Sequence, residues 1–157
     1  MILESVFDLP PGVALLGLDL GEKTIGVAVG DPGGQIASPL ETVKRAKFTK
    51  DAERLETLIA ERRIGGIVLG LPVNMDGSEG PRCQSTRQFA RNLISLRNWT
   101  LPIAFWDERL STTAVERVLI DQADMTRARR GDVVDKMAAA FILQGAMDAR
   151  RLRPTPA

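Results

Sequence analysis

Apolar residues run from Val13 through ALLGLDL, break at GEKT, and resume in IGVAVG up to Gly30. The pattern predicts two strands joined by a short hairpin connection, EKT. Asp19 interrupts the first strand, flanked by Leu18 and Leu20 and bracketed by Gly17 and Gly21. DPGGQ then reads as a turn. IASPLETV reads as a third, edge-like strand, because an edge tolerates Pro39. Ala52, Leu55, Leu58 and Ile59 share one helical face, which predicts a helix from about Thr49 to Arg63, ended by Gly65 and Gly66. IVLGLP is a short, wholly apolar strand.

After the loop NMDGSEGP, Phe89, Leu93 and Leu96 return to helical spacing and predict a second helix ending near Asn98. LPIAFW is a fifth strand that stops at Asp107. STTAVERVLI carries a capping-box pattern, Thr113 with Glu116, so a helix is expected to start there. QADMTRARRG has no periodicity and reads as a mobile loop. Val134, Met137, Ala138, Phe141, Ile142 and Gly145 trace the stripe of a last helix. The order predicts an α/β fold, a mixed five-stranded sheet flanked by helices, with residues 1–157 forming one domain.

Composition narrows the chemistry. No apolar run reaches the roughly 20 residues of a membrane span, and MILESVFDLPPG lacks the basic start and long apolar stretch of a signal peptide. One cysteine, Cys83, excludes an intramolecular disulfide and fits a reducing compartment, so a cytoplasmic protein is expected. The thiol itself reads as inert packing or an incidental loop residue. The chain has no histidine and no tyrosine. That removes every Ser-His-Asp or Cys-His triad and every histidine-bound zinc site. Carboxylates, lysines, hydroxyls and oxygen-binding metals such as Mg²⁺ or Mn²⁺ remain.

Three acidic positions stand where structure alone would not ask for them. Asp19 lies within an apolar strand, where an ionised carboxylate costs several kcal/mol unless a cation, a metal ion or several donors compensate it. Capping by loop amides and a metal or phosphate site are both open. Asp107 and Glu108 follow the apolar IAFW, and strand alternation allows only one of them to share Asp19's face. Asp132 and Asp135 open the last helix three apart, and Asp132 suits either a ligand or a helix cap. In α/β sheets ligands gather outside the carboxyl ends of parallel strands. There these acids would hold one or two Mg²⁺ ions suited to phosphodiester hydrolysis.

The net charge of +1 says little about partners. Its distribution says more, with basic groups at Lys44, Arg45, Lys47 and Lys50, at Arg127, Arg129 and Arg130, and at Arg150, Arg151 and Arg153. Arg87 and Arg91 lie four apart on one helix face, with Arg82 in the loop before it. Guanidinium forks fit phosphate oxygens, and a solvated helix face accounts for them equally well.

Four blocks, DLGEKTIGVAVGD, IVLGLPVNMDGSEGPRCQSTRQFA, DERLSTTAVE and VVDKMAAAFILQ, together resemble the YqgF/RuvX family, relatives of the RuvC Holliday-junction resolvases. The resemblance implies a ribonuclease-H-like fold and a nuclease dependent on Mg²⁺ or Mn²⁺, maturing the 5′ end of pre-16S ribosomal RNA. It implies Asp19, Glu108 and Asp135 as catalytic and metal-binding acids, and Lys23, Arg82, Arg87 and Arg109 as nucleic-acid contacts. Precursor rRNA, branched DNA and ribosomal particles are the implied partners, for a monomer or a homodimer. Two departures stand out. Thr24 occupies a position that is commonly basic, which implies one phosphate contact fewer. Asp132 adds a second acid to the last helix, as in resolvases.

Two other classes stay open. GLDLGEKTIGVAV also resembles the first phosphate loop of actin-like ATPases, which close two such domains around ATP. A non-catalytic RNA- or ribosome-binding module would keep the fold and lose activity, although an idle buried carboxylate cluster repels itself.

Overall fold

The two faces of the central sheet are unequal, and that difference positions everything else. The structure, a computed structural model, describes residues 1–110 and 127–152, of which 127–132 in backbone only. Its strands are β1 (Ala14–Leu20), β2 (Thr24–Gly30), β3 (Ala37–Lys44), β4 (Ile64–Leu71) and β5 (Ile103–Asp107), in the spatial order β3-β2-β1-β4-β5. The pairs β1–β2 and β2–β3 are antiparallel, and β1–β4 and β4–β5 are parallel. The carboxyl ends of β1, β3, β4 and β5 therefore share one edge. Among the described residues the α-helices are α1 (Phe48–Arg62), α2 (Pro81–Arg97) and α3 (Arg127–Leu152).

One face is bulky. Leu16, Leu18, Ile25, Val27, Ile67, Leu69 and Ile103 are fully buried there against Ala52 and Leu55 of α1 and Phe89, Ala90 and Leu93 of α2. Each large aliphatic so buried contributes about 1.5–3 kcal/mol. The other face is nearly flat. Gly17, Gly26, Ala28, Gly30, Gly70 and Ala104 lie on it, and α3 packs down with Ala139, Ile142, Leu143, Ala146 and Met147. A Cβ on Gly17 would lie 2.7 Å from Leu143 Cβ, and one on Gly26 would lie 2.0 Å from the main-chain oxygen of Asp135. Only hydrogen fits at these positions, so α3 approaches the backbone of β1 and β2 directly.

The element order follows the pattern of apolar positions, and the third strand with Pro39 is indeed at the edge. Several expectations need correction. Gly65 and Gly66 do not end α1. Arg63 itself takes the left-handed conformation (φ 52°) and closes the helix onto Ala60 and Ile59. Both glycines belong to β4, where a Cβ would meet Val13 at 2.7 Å and Leu15 at 2.9 Å respectively. Arg82 is not in a loop but in the first turn of α2, and Leu96 is 64% exposed rather than core. Cys83 is fully buried in α2, so its thiol is packing rather than a loop group.

The last helix begins at Arg127, so the loop expected over 122–131 is helical from 127 onward. Arginine and alanine favour helix without needing an apolar stripe, which is why periodicity misses this turn. Asp132 is then the sixth residue of α3 and not its cap. The buried stripe centres on Ala139, Ile142, Leu143, Ala146 and Met147, while Val134, Met137, Phe141 and Gly145 are only half-buried. The helix expected at STTAVERVLI, with Thr113 and Glu116, lies outside the described residues. Among the described residues, no helix is long and apolar enough to cross a membrane.

Gly26→Ala should lower stability by about 3 kcal/mol or more, because its Cβ meets backbone that cannot swing away. Gly70→Ala should cost less, since its Cβ would meet the flexible tip of Ile142, Cδ1, at 2.6 Å. Thermal unfolding of both variants checks the order, and an equal or reversed ranking would contradict the contact scheme.

Candidate active site

Asp19 is the next-to-last residue of β1, 7% exposed, with its side chain on the flat face below Leu15 and Gly17. Its partner across β1–β2 is Gly26. On the other side the register Leu18↔Leu69, continued by one step, sets Gly70 beside it. Neighbouring strands lie about 4.8 Å apart, so a missing side chain on each flank leaves open space around the carboxylate.

Two further acids fill those openings. Over Gly26 sits the main chain of Asp135, and over Gly70 sits Glu108, whose Oε1 is 3.1 Å from where a Cβ would stand. Asp19, Glu108 and Asp135 thus all lie on the α3 face, the latter two over the glycines that flank Asp19, at the edge that gathers the strand carboxyl ends. Thr24 Oγ1 donates a 2.7 Å hydrogen bond to Asp135 Oδ2. The departure that implied a lost phosphate contact therefore gives Asp135 a partner, which the sequence reading missed.

The choice between Asp107 and Glu108 is settled in orientation. Glu108 opens a 3₁₀ turn beyond β5 and reaches Gly70 on the flat face. Asp107 points to the bulky side and is clamped by Arg109, through Nη2 at 2.6 Å, Nε at 3.0 Å and the backbone N–H at 2.9 Å. The Arg109 side chain holds the Asp107 carboxyl below its ordinary range. Arg109 also reaches the Met75 carbonyl at 3.3 Å, tying the β4–α2 loop to the end of β5.

The basic residues distribute unequally. Lys23 is exposed in the β1–β2 turn at the mouth of the site, and Arg82 lines a cleft of about 270 Å³ with Gly21, Glu22, Arg45 and Ser85 beside that turn. Arg45, not singled out by the sequence as a site residue, donates to the Gly21 carbonyl at 2.7 Å and so joins this rim. Arg87 is not brought to the acids. It forms a bidentate pair with Glu79 (2.6 and 2.7 Å) and lies 4.9 Å over the Phe105 ring on the bulky side. That pairing holds Glu79 below its ordinary carboxylate range. Arg91 bonds Gln88 at 3.0 Å.

The donor set is all oxygen, which fits a hard cation such as Mg²⁺ or Mn²⁺. Among the described residues no three acidic, histidine or cysteine side chains stand close enough to enclose a metal by themselves. Mg²⁺ is commonly held by one or two carboxylates completed by water and substrate phosphates, and an open acidic floor suits that mode. Beside Gly70 on β5, Trp106 keeps a buried indole N–H that has no hydrogen-bond partner among the described residues.

The antiparallel β1–β2–β3 meander continued by parallel β4 and β5, with helices on both faces, is a ribonuclease-H-like fold. RuvC of T. thermophilus, in complex with Holliday junction substrate, superposes with a TM-score of 0.56 at 14% identity, over 89% of this chain and 96% of that one. The yeast mitochondrial Holliday junction resolvase Ydc2 gives 0.50 at 15% identity, over 93% and 83%. The sequence is far closer to another group. The RuvX family model, described as Holliday junction resolvase, matches residues 13–149. A protein of Phenylobacterium zucineum named "Putative pre-16S rRNA nuclease" is 66% identical, over 96% of this chain and 99% of that one. A protein of the same name from Roseobacter denitrificans is 62% identical, over 97% and 95%. The chain belongs to the RuvX family.

The orientation of the two adjacent acids is directly testable. Mn²⁺ affinity, measured by calorimetry, should fall in Glu108→Gln by at least the ~10-fold that loss of an outer partner alone can cost. Asp107→Asn should leave it essentially unchanged. Equal losses in the two variants would contradict the assignment of faces.

Proposed function

We propose that this chain is a metal-dependent nuclease that hydrolyses phosphodiester bonds of precursor 16S ribosomal RNA at its 5′ end. The observation that supports this reading is the placement of Glu108 and Asp135 over the two glycines that flank Asp19, at the carboxyl edge of the sheet. The names of the Phenylobacterium and Roseobacter relatives support the activity and the substrate.

In this reading Asp19, Glu108 and Asp135 would together hold the cation. Bound Mg²⁺ or Mn²⁺ would activate the attacking water and stabilise the departing oxygen. Lys23 and Arg82 lie on the rim, where they would draw the RNA backbone toward the acids by charge. Arg87 and Arg109, on the far side of the edge, would contact the strand beyond the scissile bond. Their carboxylate partners keep both guanidiniums in fixed positions. Residues 1–157 would act as one cytoplasmic domain, as a monomer or homodimer, on rRNA within ribosomal particles. The description of the RuvX family as Holliday junction resolvase favours a second substrate, the four-way DNA junction.

Purified protein incubated with RNA carrying a precursor 16S 5′ end should cut it with Mn²⁺ or Mg²⁺. It should not cut it with EDTA, and Asp19→Asn should not cut it at all. A four-way DNA junction run in parallel separates the two substrates. Binding of RNA without cleavage under every condition would replace the nuclease by a non-catalytic binding module.

A further inference from the structure

Asp135 is fixed at its main chain by contact with Gly26, but that contact leaves its carboxylate free to rotate. What restrains the carboxylate is Thr24, whose Oγ1 lies 2.7 Å from Oδ2. Thr24 is itself well anchored. It opens β2, and its carbonyl accepts the Gly21 N–H at 2.8 Å, closing the β1–β2 turn. Its branched Cβ restricts χ1 to few rotamers, so the hydroxyl is held in place. Both ends of the Thr24–Asp135 bond are therefore built on regular backbone, β2 and α3, from residues 111 apart in sequence.

The geometry points to Thr24 as a positioning residue for metal binding: its hydroxyl commits one oxygen of Asp135 and aims the carboxylate at the patch shared with Asp19. This rests on the metal-site reading above and adds to it a residue that touches neither metal nor substrate. Partners of this kind orient metal-ligating groups, and their loss typically weakens metal affinity by about 10–100-fold. A basic side chain at this position would place a positive charge beside Asp135 and compete with a cation. A hydroxyl orients the carboxylate without that competition.

The test uses the full-length chain as wild type, Thr24→Val, Thr24→Ser and Asp135→Asn, each titrated with MnCl₂ by calorimetry. Cleavage is measured across the same Mn²⁺ range. Valine keeps the branched shape and removes the donor; serine keeps the donor. Thr24→Val should bind Mn²⁺ about 10–100-fold more weakly and need correspondingly more Mn²⁺ for half-maximal cleavage. Its rate at saturating Mn²⁺ should stay close to wild type, and Thr24→Ser should retain most of the affinity. Unchanged Mn²⁺ affinity in Thr24→Val, or equal losses in the valine and serine variants, would overturn the role of the hydroxyl. Wild-type Mn²⁺ affinity in Asp135→Asn would instead overturn the metal-site reading itself, and this inference with it.

Discussion

The approach of α3 to the sheet is the constraint on which the site depends. A helix normally stands off from a sheet because side chains from both fill the gap between them. Here Gly17, Gly26, Gly30 and Gly70 carry no side chains toward it, and α3 answers with alanines at 139 and 146. Main chain then meets main chain at Gly26. Asp135 comes down beside Asp19, and Glu108 takes the matching space over Gly70. With bulky residues at those two glycines the three acids could not share one patch. The same substitution would force α3 outward, so stability and the site depend on the same atoms.

The opposite face shows what the sheet looks like without that demand. Leucine, isoleucine and valine fill it, and α1 and α2 pack on it as on any buried sheet. Glu56 of α1 accepts from Arg97 at 2.7 Å and from Trp99 Nε1 at 2.8 Å, stitching the two helices together. Arg54, Arg87, Arg97 and Arg109 on this side are paired with carboxylates, whereas Lys23 and Arg82 stand exposed around the acidic mouth. An acidic floor within a basic rim attracts a cation to the centre and a polyanion to the margin.

Much of this was legible in the chain. Asp19 inside an apolar run, Glu108 at a strand end and Asp135 beside an apolar stripe each broke a local expectation, and all three lie on the α3 face of the sheet. Less legible was what clears the room for them. The alternation of large and small along LLGLDL and IGVAVG records the two unequal faces, but Gly65 and Gly66 read as a helix stop because glycine serves both turns and close approach. Arg63 took the left-handed turn instead, which residue preference argues against. The first turn of α3 was missed because its helix-forming residues show no apolar period. Thr24 read as the loss of a phosphate contact, since nothing local reveals a hydrogen bond to a residue 111 positions away.

The most direct test of the acidic patch is a crystal of the protein soaked in MnCl₂, with data collected near the manganese absorption edge. The account predicts an anomalous difference peak on the α3 face, within ligating distance of Asp19 and of Glu108 or Asp135. No peak at Asp19, with manganese bound only at other carboxylates such as Glu79 or Asp107, would contradict it.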